Sequence, residues 1–222
     1  MRDNKISVVI LTYNKWELTE QLVKDLEKHE KENIDEILVV DNGSTEGRVF
    51  DNPFDCLVYE RIEENIGFTL GFNHGLKLAT GEIAEKKAIF AISNDVRIHG
   101  VFIQQATDLL FGARRCLVGN DHLAFDTGWN KFNGVTYDYL AGHFLAATSD
   151  GWRELGYFDE RFAPNDYEDV DLSTTAKKKG YKLVALNNPN IVHAGGGTYG
   201  YTPERRLQTE RNREVFKSKW VK

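Results

Sequence analysis

ISVVILTYNKWELTEQLVKDLEKHEKENIDEILVVDNGST, residues 6–45, holds two apolar runs on either side of an amphipathic one. The first, Ile6–Thr12, is continuous and β-branched, as strands covered on both faces of a parallel sheet are. Tyr13 and Asn14 turn the chain. From Lys15 to Glu30, the residues Leu18, Leu22, Val23 and Leu26 recur on one helical face. Asp35–Asp41 is a second buried strand, closed by the turn-forming Asn42, Gly43, Ser44 and Thr45. Strand, helix and strand in this order predict parallel pairing, with the helix lying across the sheet.

Outward from this unit the alternation continues. A short strand is expected near Cys56–Glu60, then a helix that stops near Ala79–Gly81, and an apolar strand at Lys87–Ser93 closed by Asn94, Asp95 and Val96. Val101–Arg114 reads as a helix, Cys116–Ala124 and Thr136–Thr148 as strands, Asn190–His193 as a strand and Pro203–Trp220 as a charged helix. The fold class expected is α/β: a Rossmann-like, mostly parallel sheet flanked by helices, with a more mixed second half. No linker, repeat or low-complexity tract divides it, so residues 1–222 are read as one domain.

The chain has 222 residues, with 28 Lys and Arg against 34 Asp and Glu, a net charge of −6. That balance argues against blanket neutralisation of nucleic-acid phosphates, while leaving room for a local basic patch. Cys56 and Cys116 have no metal-like spacing and read as thiols in a reducing compartment. No segment reaches transmembrane length, and the expected location is cytoplasmic.

In open α/β sheets, ligands sit beyond the carboxyl ends of the strands. Here successive strands end in Thr12-Tyr13-Asn14, Asp41-Asn42-Gly43-Ser44 and Ser93-Asn94-Asp95, so one rim carries hydrogen-bonding groups and two carboxylates. Each alone is an ordinary turn. Neither a GxGxxG after the first strand nor a GxxxxGK[ST] is present, which disfavours dinucleotide and P-loop enzymes. Asp95 at a strand end suits a hard divalent cation that also binds diphosphate oxygens. His193 alone reads as structural; across the rim from Asp95 it makes a second ligand, in an N/O set that admits Mn2+ or Mg2+. GYFDERFAPNDYEDVDLSTTAKKKG, residues 156–180, holds six acids among aromatics. Helix-end electrostatics accounts for part of that charge, and a carboxylate against aromatic walls is a candidate general base.

SVVILTYNKWELTEQLVKDL, ILVVDNGSTEG, ENIGFTLGFNHGLKLATGE, the Ser93–Val96 turn, GYFDERFAPNDYEDVDL and IVHAGGGT follow one another in this chain. Taken together they resemble the family-2 glycosyltransferases of GT-A fold, particularly rhamnosyltransferase-like members, over nearly the whole length. The resemblance implies an inverting, metal-dependent hexosyl transfer from a UDP- or dTDP-sugar to a hydroxyl acceptor: a glycan, a lipid-linked sugar or another group, a nucleic-acid acceptor included. Residues 1–98 would bind the nucleotide-sugar, 99–203 would bind the acceptor and do the chemistry, and 204–222 would form a C-terminal helix. Thr12, Tyr13, Asn14, Asp41 and Ser44 would hold base and ribose. Asn65, Gly67 and Asn73, with Ser93 and Asn94, would lie along the donor, the glycines allowing close backbone approach. Asp95 and His193 would hold the metal. Asp169 would be the base with Glu168 beside it, and Gly142, His143, Trp152 and Asp159 would face the acceptor. Asp171 reads as serving the helix N-terminus, and Gly195–Pro203 as a lid over the donor.

Two positions depart from the family's pattern. Ser93 stands where the DxD-like motif has Asp or Asn, and Ser173-Thr174-Thr175 stand where an Arg often follows EDxDL. Two other classes share parts of the pattern. A sugar-1-phosphate nucleotidyltransferase would need a Gly-rich basic turn where this chain has TYNKWELT, and a non-catalytic sugar-nucleotide-binding module would not need Asp95, Asp169 and His193 together.

Overall fold

The apolar run that follows Lys5 becomes an interior strand of the main sheet, next to the middle one. The computed structural model describes residues 5–47, 55–81, 87–112, 115–194, 200 and 202–222. In chain order its elements are β1 (Lys5–Thr12), α1 (Trp16–Glu30), β2 (Glu36–Asn42), β3 (Leu57–Ile62), α2 (Gly67–Thr80), β4 (Lys87–Ser93), β5 (Val96–Ile98) and α3 (Ile103–Gly112). There follow β6 (Cys116–Gly119), β7 (His122–Leu123), β8 (Lys131–Phe132), β9 (Val135–Thr136), β10 (Tyr139–Leu140), β11 (Phe144–Thr148) and α4 (Ser149–Leu155). The chain ends in α5 (Glu168–Lys178), β12 (Lys182–Ala185), β13 (Ile191–His193) and α6 (Pro203–Trp220).

Among the described residues, seven strands form the main sheet in the order β12-β6-β11-β4-β1-β2-β3. The pairs β1–β2, β1–β4, β2–β3 and β6–β12 are parallel, and β11 runs antiparallel to both β4 and β6. The sheet is therefore α/β and mostly parallel, with its mixed part in the second half. Side chains alternate across it. Val8, Ile10, Val39 and Phe90 pack with Leu22 and Leu26 of α1 and Phe102 of α3; Val9, Val40 and Ala91 pack with Leu76 of α2, Trp152 of α4 and Leu172 of α5. Full burial of one such large side chain is worth about 1.5–3 kcal/mol. With a core on each face, the sheet leaves its strand ends as the place for chemistry.

Close contact with the sheet explains the glycines of α2. A Cβ on Gly75 would come within 2.6 Å of Val9 and 2.7 Å of Val40, and one on Gly71 within 2.7 Å of Leu11. Glu30, buried at the end of α1, accepts hydrogen bonds from the backbone N–H groups of Phe102 and Ile103 and so caps α3. That cap sets the start of α3 at Ile103, two residues later than the periodicity suggests. The expected strand Cys116–Ala124 is interrupted after Gly119, where the chain leaves the main sheet and β7 pairs with β10 instead. Thr136–Thr148 divides likewise, and only Phe144–Thr148 joins the main sheet. A small β5–β13 pair, with His193 opposite Val96, was not legible as a pairing. Among the described residues no helix is long and apolar enough to cross a membrane.

Candidate active site

The ends of β1, β2 and β4 open on a cleft of about 960 Å³. Tyr13, Asn42, Ser93, Asn94 and Asp95 line it from the sheet, Gly142 and His143 from the turn before β11, Glu168 and Asp169 from α5, and His193 from β13. These come from both halves of the chain, so the expected rim is one wall of a larger site.

Several residues expected on the donor turn out to hold the rim in shape. Thr12 is buried; its hydroxyl donates to Asn14 O at 3.1 Å and accepts from Thr19 Oγ1 at 2.8 Å. Asn14, at a left-handed φ of 50°, donates its N–H to Ser44 Oγ, and its Oδ1 accepts from the N–H groups of Thr45 and Glu46. The Asp41 carboxylate is buried and accepts from Ser44 N–H, the Tyr59 hydroxyl and the Arg61 guanidinium. Asn65 Oδ1 accepts from Asn42 Nδ2 and Gly67 N–H. Two expectations need correction. Asn73 is buried and clamps Phe158, giving Nδ2 to its carbonyl and taking its N–H, so its amide faces the protein. Gly67 is close to backbone, but that of Pro164: a Cβ there would lie 2.5 Å from the proline ring.

On the far rim, pairing of β5 with β13 brings His193 Nε2 to 3.3 Å from Asp95 Oδ1. Ala194 N–H donates to Asp95 O at 3.1 Å and fixes the approach. His143, expected to face the acceptor, also packs here: its ring stacks on that of His193, with centroids 4.2 Å apart and planes 9° from parallel, and its Nε2 lies 3.0 Å from Asp121 Oδ2. Burial and the neighbouring His193 push the His143 imidazole down to about 4, so it is neutral at neutral pH. The Asp95–His193 spacing fits adjacent ligands on one small divalent ion. Among the described residues no three His, Cys, Asp or Glu side chains are placed to hold one metal ion together, so the remaining ligands would come from phosphate oxygens and water.

The acidic stretch divides by face. Asp166 and Tyr167 take left-handed φ of 72° and 76°, which turns the chain so that α5 starts with Glu168 and Asp169 in the cleft wall. Asp169 is part-exposed; its Oδ2 accepts from Gly142 N–H at 3.0 Å and its Oδ1 from Val170 N–H at 2.8 Å. Gly142 packs closely on this carboxylate, since a Cβ there would meet Asp169 Cβ at 3.2 Å. Crowding by protein atoms pushes the Asp169 carboxyl up to about 6, against the pull of those two N–H groups. Burial also raises the Glu168 carboxyl well above its ordinary range, and Asp169 beside it adds to the effect. Glu168 Oε2 is buried without a hydrogen-bond partner.

Asp171 points the other way, to Trp220 Nε1 at 2.7 Å and Lys219 Nζ at 2.9 Å, so it ties down α6 rather than capping its own helix. Two acceptor-side expectations are also corrected. Trp152 is wholly buried in the core and gives its Nε1–H to Ile89 O at 3.0 Å. Asp159 lies in a separate hollow of about 380 Å³, where it pairs with Arg161 and Lys219. The expected lid, Gly195–Pro203, falls partly outside the described residues, at 195–199 and 201; Thr202 and Pro203 line the cleft.

Sequence reasoning missed α6 as a wall of the site. Arg205 forks onto Asp166 at 2.8 and 3.2 Å, just before the carboxylate pair, while Ser173, where an Arg was missing, accepts from Leu140 N–H at 3.1 Å. The basic pair Arg205-Arg206 beside Pro203 was the available signal.

Residues 7–99 match the family model Glycosyl transferase family 2. The matched stretch runs from β1 through β5 and so includes Asp95, whereas Asp169 and His193 lie beyond it. No protein of curated function matches the sequence. The whole fold is similar to that of the mannosyltransferase PcManGT from Pyrobaculum calidifontis, solved in complex with GDP-Man and Mn2+: TM-score 0.68 at 18% identity, covering 98% of this chain and 65% of that one. It is also similar to GalNAc-T7 solved with UDP, GalNAc and Mn2+, at TM-score 0.71 and 14% identity over 97% of this chain and 48% of that one. TarS residues 1–349 from S. aureus give TM-score 0.59 at 18% identity, over 95% and 64%. The chain thus spans about half to two-thirds of these proteins' lengths. At such identities the likeness is one of fold, and that fold is GT-A-like.

Proposed function

We propose that this chain is a glycosyltransferase that moves a sugar from a nucleoside-diphosphate donor to a hydroxyl acceptor with inversion at the anomeric carbon. The family match and the GT-A-like fold support the class. The observation that carries the mechanism is Asp169, a part-exposed carboxylate oriented by Gly142 and Val170 N–H in the same cleft as Asp95 and His193. Asp169 takes the proton of the acceptor hydroxyl, whose oxygen bonds to the anomeric carbon as the bond to the diphosphate oxygen breaks and the nucleoside diphosphate leaves. Asp95 and His193 would hold Mn2+ or Mg2+, which when bound offsets charge on the leaving diphosphate. Tyr13, Ser93 and Asn94 contact the donor on the side of residues 1–98, and residues 99–203 carry the acceptor side. The rim network through Thr12, Asn14, Asp41 and Ser44 keeps that side in shape.

The test is nucleoside-diphosphate release with Mn2+ from a panel of sugar nucleotides. It includes UDP-sugars and dTDP-rhamnose from the sequence resemblance, and GDP-mannose because PcManGT was solved with it. Asp169→Asn is expected to keep donor binding in a thermal-shift assay while turnover falls about 10²–10⁴-fold, the usual worth of a general base. Undiminished turnover in a folded Asp169→Asn protein overturns the assignment.

A further inference from the structure

Trp129 lines the cleft with 46% of its surface exposed, an unusual state for a tryptophan whose backbone is held so firmly. The neighbouring Asn130 is fully buried and pins the loop on both sides. Its Oδ1 accepts from Thr127 N–H and Oγ1 at 2.9 and 3.0 Å, and its Nδ2 donates to Phe125 O and Tyr137 O at 3.0 and 3.1 Å. Trp129 O itself accepts from the Tyr167 hydroxyl at 2.7 Å. Tyr167 directly precedes Glu168 and Asp169, so one hydrogen bond ties the Trp129 backbone to the segment that carries the carboxylates. Leu123, Tyr139, Ala141 and Gly142 continue the same wall. Beside this apolar surface, Glu168 is only 6% exposed and its Oε2 lacks a partner, although burying such an oxygen unpaired is costly.

We propose that this wall is an acceptor subsite for a pyranose ring of a glycan, with the ring's C–H face on Trp129 and a hydroxyl bonded to Glu168. The subsite rests on the glycosyltransferase reading and names the substrate class of that site. A pyranose presents an apolar C–H face and a rim of hydroxyls, which matches an exposed indole on a pinned loop and carboxyl groups lining the same cleft. A second hydroxyl of the same ring is then presented to Asp169. A nucleic-acid strand would also stack on an indole, but it needs cations for its phosphates. The two arginines lining the cleft are paired already, Arg205 with Asp166 and Arg206 with Glu210.

Methyl α- and β-pyranosides of glucose, galactose, N-acetylglucosamine and rhamnose, titrated with UDP and Mn2+ present, test this directly. Tryptophan emission and saturation-transfer NMR read binding without any turnover. At least one glycoside is expected to shift the emission of the native protein. Trp129→Phe removes that shift while NMR still detects the sugar, and Trp129→Ala weakens binding about tenfold, as expected for loss of one aromatic contact. Glu168→Ala weakens it comparably, Glu168→Gln restores much of it, and UDP binding stays unchanged in all four variants. Unaltered glycoside affinity in a folded Trp129→Ala protein overturns the subsite. So does hydrolysis of a sugar nucleotide with no glycoside bound, or an emission shift produced only by a short oligothymidylate. Glycoside binding at Trp129 in a protein that hydrolyses no sugar nucleotide upholds the subsite and overturns the proposed function instead.

Discussion

Asp169 and Glu168 are neighbours in sequence with different surroundings, and that difference sets what each can do. Asp169 faces the cleft and has two backbone donors, whereas Glu168 is buried with one oxygen unpaired. The charged and titratable groups acting on the pair include Asp166 and Arg205; nearby, the Tyr139 hydroxyl is raised by burial first and then by Asp169, and that of Tyr167 is raised by burial against the pull of Arg213. A base works only when deprotonated, and the Asp169 carboxyl is pushed up to about 6. With the proposed role, kcat/KM is expected to fall tenfold per pH unit below about 6 and to level off above it. A pH–rate profile checks this, and a plateau extending unbroken to pH 4 would remove Asp169 as the base. The linkage to stability has the opposite sense. Because the folded state binds this proton more tightly than the unfolded chain, ionisation of Asp169 destabilises the fold as pH rises from about 4 to 6. Asp166 shows the reverse: burial pushes it up, but Arg205 and Thr209 outweigh burial and hold it below the usual carboxylate range. Its contribution is present above the unfolded pKa and is lost as pH falls through the lowered folded value.

Among the elements, caps and close packing matter more than helix propensity. Glu30, from the end of α1, supplies the acceptor for two N–H groups at the start of α3. Glu30→Ala leaves both buried donors unpaired, an expected loss of about 2–3 kcal/mol and roughly 5–10 °C in Tm for a chain of this size. Thermal unfolding by circular dichroism measures it, and a loss under about 1 kcal/mol would mean water replaces the cap. α6 acts on the site through the charge of Arg205 and through the contacts of Asn212. Asn212 is buried and gives Nδ2 to the carbonyls of Phe162, Asn165 and Asp166, so it holds the segment that leads into Glu168 and Asp169. Asn212→Ala frees three carbonyls of that segment. It is expected to lower kcat more than donor affinity, which initial rates beside thermal-shift titration would separate.

For the molecule as a whole, the cleft joins a wall of strand ends from the first half of the chain to a carboxylate wall from the second. A ligand that binds only the folded state stabilises it by about 2.7 kcal/mol at a hundred times its Kd, or roughly 5–10 °C here. UDP or GDP with Mn2+ is expected to raise Tm by that order. EDTA or Asp95→Ala should cancel most of the rise; a shift that persists undiminished would show that Asp95 does not hold the ion. Much of this plan was legible beforehand. The βαβ order and the strand-end rim with Asp95 follow from local runs and turns, and the Glu168–Asp169 pair was singled out by the family resemblance. The errors share a cause: Trp152, Asp159, Asn73 and Gly67 have residue types that suit a ligand, but what they touch is set by chain segments remote in sequence. Trp152 meets Ile89, Asp159 meets Lys219, Asn73 meets Phe158 and Gly67 meets Pro164. Apolar period and turn residues act over a few neighbours, so the sequence by itself determined β1 to β4 with their parallel pairing and most of the helices, but neither β12 nor the division of the expected strands 116–124 and 136–148. Side-chain partners depend on which distant segments pack together. Only the tertiary structure therefore decided that β5 meets β13, that α6 walls the cleft, and that Trp129 stands exposed in the cleft that holds Asp169.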